Sequence, residues 1–234
     1  RDADGDAVAL SEAVTRDHPT IPVVLLTFDE ADLAQLPDGK VPPTIERAFI
    51  WSGDARTLVA AIKLVEDLRN VEHDTQSSGV QVILVVEDSV RSYSGFLGLL
   101  YTELLEQSQT LIAEGANPLH RLLRMRARPR VLLATDYESA LRLGNQYGEQ
   151  LLALITDLRY SKQGVEQADA GLDLAEALRL TVPALPVLLV SSEDSVEDLA
   201  RGLGCGFARK RSQHLQQELR DFLSVALGFG DFIF

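Results

Sequence analysis

The sequence holds one cysteine, one tryptophan and one methionine among 234 residues. Cys205 has no partner for an internal disulfide, and His18, His73, His120 and His214 lack the spacing of a structural zinc site. Disulfide and zinc chemistry therefore drop out. Long apolar runs are missing too: none approaches the ~20 residues that cross a bilayer, and no basic-then-apolar leader opens the chain. Positive charge is scarce, with 22 Lys and Arg against 35 Asp and Glu, a formal net charge of −13 that repels nucleic acid. The expectation is a soluble cytoplasmic protein with neither membrane nor nucleic acid as partner. The opening RDADGDAVAL has no methionine, and Met125 is internal, so the sequence reads as part of a longer chain.

What is present suits packed domains. Apolar residues make up 46% and charged residues 24%, and the length fits one large or two small domains of roughly 100 to 150 residues each. Two stretches resemble one another: GDAVALSEAVTRDHPTIPVVLLT from Gly5 and AGLDLAEALRLTVPALPVLLVSS from Ala170. Each reads as an amphipathic helix, a proline-containing turn and an apolar strand ending in hydroxyl residues, which suggests two related modules. The polar stretch 70–79 is the expected linker, giving a partial module at 1–75 and a complete one at 76–234.

In the second module, short apolar strands at 80–86, 130–135, ending at 157, 187–190 and 207–209 alternate with helices. That pattern predicts an α/β fold with a doubly wound, five-stranded parallel sheet of the flavodoxin-like type. Ligands of such sheets gather beyond the carboxyl ends of the strands. The residues there are Glu87 and Asp88, Asp157, Ser191 and Lys210. Crowded carboxylates repel unless a cation neutralises them, and carboxylate oxygens with waters suit Mg²⁺. Asp157 would then be a nucleophile toward phosphorus, with Ser191 and Lys210 contacting the phosphoryl oxygens. Each residue also has a plainer reading: Asp157 as a turn former, Glu87, Asp88 and Ser191 as helix caps, Lys210 as a surface charge.

In their order, VVEDS, ITDLR, LLVSSED and GFARKR resemble the receiver domain of two-component response regulators from about Val80 to Leu227. The resemblance implies Asp157 as phosphoacceptor, Glu87 and Asp88 as the acidic pair for Mg²⁺ with Asp157 and the backbone carbonyl of Arg159, Ser191 as switch hydroxyl and Lys210 as the invariant lysine. It implies a histidine kinase or phosphotransfer protein as partner, and no enzyme activity beyond self-catalysed transfer and loss of the phosphoryl group. The chain departs from the family with Leu158-Arg159-Tyr160 in place of a hydrophobic-proline pair, Arg211 in place of proline, and a longer loop after Asp157. It also has a long helix from Val90 to about Glu114, followed by the basic segment 121–130, an insertion spanning 90–128 that is expected to contact another module or a second copy. In the first module Thr27 matches the switch hydroxyl and Ser52 stands where the lysine would be, so the chemistry is lost there. The tail GFGDFIF looks like sequence seen in receiver-like regions preceding a phosphoenolpyruvate synthase-like enzyme, a resemblance that implies the regulatory head of a larger protein. A phosphorylation-independent pseudo-receiver, serving dimerisation or an attached enzyme, is the alternative.

Overall fold

The computed structural model describes residues 3–113, 128–193 and 196–226. The chain divides into two compact units, one of residues 1–66 and 89–101, the other of residues 67–88 and 102–234. Most of the basic segment and the apolar tail lie outside the described residues.

The first unit contains α1 (Ala3–Asp17), β1 (Val24–Thr27), α2 (Glu30–Leu33) and β2 (Arg47–Ile50), with the first parts of α3 (Ala55–Ser78) and α4 (Val90–Ala113). Strands β1 and β2 pair in parallel, from Val24 opposite Arg47 to Thr27 opposite Ile50. Helix α2 starts on a capping box, in which Asp29 and Asp32 satisfy each other's backbone amides. The outer edge of β2 is closed by α4: Tyr93 donates its hydroxyl to the Ala48 carbonyl at 2.5 Å, and the Ile50 amide donates to Ser94 Oγ at 2.9 Å. Burial, the larger effect, pushes the Tyr93 phenol up to about 12. Trp51 follows β2, and its amide donates to the Thr27 carbonyl at 2.7 Å.

The second unit carries β3 (Val82–Val86), β4 (Arg130–Ala134), α5 (Tyr137–Gln146), β5 (Leu151–Asp157), β6 (Tyr160–Lys162), β7 (Val165–Gln167), α6 (Ala170–Arg179), β8 (Val187–Ser191), α7 (Val196–Gly202), β9 (Gly206–Arg209) and α8 (Leu215–Asp221). Its main sheet is five-stranded and parallel in the order β4-β3-β5-β8-β9. This is the flavodoxin-like order, with its reversal between β3 and β5. Every residue of β3 and β8 is buried, as expected of strands covered on both faces. Val82, Leu84, Val86, Leu154 and Leu189 share one cluster with Leu174 and Leu178 of α6.

One expectation is corrected here. Residues 70–78 are not a linker but the last turns of α3. Along this half of α3, Asp67, Val71 and Thr75 recur every four residues and are all buried, so the helix has a packed face that is partly polar. Gly79, at φ 62°, ends it: the Gly79 amide donates to the Thr75 carbonyl and the Val80 amide to the Asp74 carbonyl. The longer loop after Asp157 carries β6 and β7, which form a hairpin closed by Gln163 and Gly164, both at positive φ.

Asp67 holds the start of β4 in place. Its carboxylate, fully buried, accepts from Arg128 Nη1 and Nη2, from Arg130 Nη1 and from the Val131 amide. Arg130 also pairs with Asp74 at 2.5 Å. These two arginines are the described end of the basic segment, and their partners are acidic groups of α3. Truncating one side of a buried ion pair strands the other charge. Asp67→Ala is therefore expected to cost about 3–5 kcal/mol, read as a lower urea midpoint of unfolding.

Candidate functional site

The site residues stand where backbone pairing puts them. The Glu87 amide extends the β3–β4 ladder by donating to the Ala134 carbonyl at 3.1 Å, and the Lys210 amide extends the β8–β9 ladder by donating to the Ser191 carbonyl at 3.0 Å. Asp157 closes β5 and Ser191 closes β8. The strand order thus brings residues distant in sequence to one end of the sheet.

Lys210 Nζ lies 2.6 Å from Glu87 Oε2 and 2.5 Å from Asp157 Oδ2. Glu87, Asp88 and Asp157 each offer a carboxylate oxygen within 4.8 Å of the others. The other oxygen of Asp157, Oδ1, accepts from the Leu158 amide at 2.6 Å. Burial alone would lower the Lys210 ammonium, but the charges of Glu87 and Asp157 outweigh it and hold the group above its ordinary value. Partial burial, followed by the Asp157 charge, raises the Asp88 carboxyl, and Lys210 only partly offsets this.

This donor set fits a hard divalent cation. Three carboxylates converge from two adjacent strand ends, and Asp88 faces solvent, leaving room for waters in the shell that Mg²⁺ retains. Ser191 is buried, and its Oγ accepts from the Glu193 amide at 3.1 Å. Arg159, two residues after Asp157, pairs its side chain with Glu193 at 2.8 Å. In the first unit the Thr27 hydroxyl is committed to Asp32 Oδ2 at 2.5 Å, and Ser52 is exposed beyond β2.

Sequence reasoning missed the support behind Asp157. The Tyr160 hydroxyl donates to the Ala170 carbonyl at 3.1 Å, and Thr156 Oγ1 lies 2.8 Å from the Asp157 carbonyl and 3.2 Å from the Tyr160 hydroxyl. The Gly171 amide donates to the Leu158 carbonyl at 3.0 Å, and a Cβ on Gly171 would run into the Asp157 carbonyl oxygen. The start of α6 is thereby seated on the end of β5. The one available signal was Ala170-Gly171 at a helix start, where glycine is costly unless close approach requires it.

No family model matches the chain, and no curated protein matches it. Among solved structures, the crystal structure of a response regulator receiver domain protein from Clostridium thermocellum is similar at 18% identity and a TM-score of 0.41, covering 66% of this chain and 100% of that one.

Gly171→Ala should destabilise the protein by about 1–3 kcal/mol through overpacking, measured by urea unfolding. The raised Asp88 carboxyl gives a pH-dependent expectation. Its contribution to stability is present below the unfolded-state value and lost as pH rises through the higher folded-state value. Asp88→Asn should therefore stabilise the metal-free protein at neutral pH, and the gain should shrink as pH falls through the folded-state value and vanish in urea titrations run below the unfolded-state value.

Proposed function

We propose that the second unit is a signal receiver that accepts a phosphoryl group on Asp157 from a histidine kinase or phosphotransfer protein, with Mg²⁺. The observation that carries this reading is the Lys210 ammonium shared by Glu87 and Asp157 at the switch point of the sheet, with Asp88 beside them.

Glu87, Asp88 and Asp157, with the Arg159 carbonyl, would hold the Mg²⁺, which when bound supplies neutralising charge for the phosphoryl oxygens. Asp157 is the nucleophile: a carboxylate oxygen bonds to phosphorus while the bond from phosphorus to the donor's nitrogen or oxygen breaks, its electron pair leaving with the donor. Lys210, held cationic by its neighbours, pairs with a phosphoryl oxygen. The Ser191 hydroxyl, which carries its own proton while accepting from Glu193, donates to another. Attack of water on phosphorus later breaks the new bond and restores the carboxylate. The exchange of partners at Ser191 and Lys210 biases the loops after β8 and β9 between two arrangements.

A second reading has its own support. Lys210 already pairs internally with both Glu87 and Asp157, which suits a pseudo-receiver that regulates an attached domain without phosphorylation.

Intact mass after incubation with acetyl phosphate and Mg²⁺ separates the two. A single labile phosphoryl adduct on the wild type, absent from Asp157→Asn, is expected. No adduct on either protein, with beryllofluoride also failing to bind, selects the pseudo-receiver.

A further inference from the structure

The two repeated stretches fall on α1 and β1 in the first unit and on α6 and β8 in the second. The correspondence continues through α2 and β2 on one side and α7 and β9 on the other. In the second unit β8 pairs with β9 on one edge and β5 on the other. Among the described residues β1 pairs with β2 alone.

The edges of this two-stranded sheet differ. That of β2 is closed, since α4 supplies Tyr93 and Ser94 to the Ala48 carbonyl and the Ile50 amide. Along β1, the Thr27 carbonyl accepts from the Trp51 amide, so Thr27 faces β2. Successive residues of a strand turn their backbone groups to opposite edges, which directs those of Leu26 toward the edge without a strand. The burial follows the same asymmetry: Leu26 is 43% and Phe28 78% exposed, whereas all of β8 is buried. Ile21 and Leu10 are also exposed, at 52% and 65%.

We infer that the outer edge of β1 is the seat of one further parallel strand, apolar like β5, belonging to the chain that leads into α1 from its N-terminal side. The placement follows from the repeat: β5 leads into α6 and lies beside β8, and a right-handed crossover through α1 sets its strand beside β1. Such a strand would pair the Leu26 backbone and cover the exposed apolar side chains.

The test compares the chain as it is with one in which residues 151–157 (LLALITD) are repeated ahead of Ala3 through a twelve-residue Gly-Ser linker. Amide hydrogen exchange at Leu26 and Phe28 should slow at least tenfold in the fused chain, and binding of an apolar dye should fall. Leu26→Pro in the fused chain should abolish the effect at Phe28, while the Phe49 amide stays protected throughout as the control for folding. Unchanged exchange at Leu26 and Phe28 with Phe49 protected would overturn the inference. So would a concentration-dependent dimer of the unfused chain that protects the same amides, since a second copy would then be the occupant.

Discussion

One ammonium group governs the end of the main sheet. Glu87 and Asp157 are brought together by the pairing of β3 with β5, and at separations up to 4.8 Å two unit charges repel by roughly 3 kcal/mol at an effective dielectric of 20. Lys210 Nζ sits at 2.5 and 2.6 Å from them. On the same Coulomb scale each attraction is about twice that repulsion, so attraction prevails. The position of β9 follows from this, because it must deliver Lys210 across from β8. Asp88 makes no ion pair with Lys210 in this arrangement, and its carboxyl is raised first by partial burial and then by the Asp157 charge.

Behind the site, support comes from groups that are not themselves reactive. Tyr160, Thr156 and Gly171 fix the backbone on either side of Asp157 through the start of α6. At the opposite end of the strands, Asp67 gathers Arg128, Arg130 and the Val131 amide. The acidic end reaches solvent at Asp88, whereas the Asp67 carboxylate is buried and saturated with donors. Carboxylates thus stand in two settings, one open to water and one closed to it.

The sheet was legible because its strands are continuous apolar runs such as VILVV and VLLV, and strand ends are where carboxylates and hydroxyls stand out against such a background. The grouping of Glu87, Asp88, Asp157 and Lys210 followed from that pattern and the resemblance. What escaped was polar structure that buries its polarity. The end of α3 looked like a linker because its residues are mostly polar, and even its inward face carries Thr75, whose hydroxyl turns back onto the Val71 carbonyl of the same helix. The β6–β7 hairpin escaped because its turn is Gln163-Gly164, without the asparagine or aspartate that usually marks such a turn. Its anchor, Tyr160, reads from sequence as an ordinary loop aromatic.

Trp51 gives the molecule a built-in optical label. It is the sole tryptophan and belongs to the first unit, where its backbone is tied to β1. Indole emission therefore reports on that unit with no background from the second, whereas far-ultraviolet dichroism sums the helices of both. When the two signals change together during denaturation, the units melt as one cooperative body; when they separate, each has its own transition.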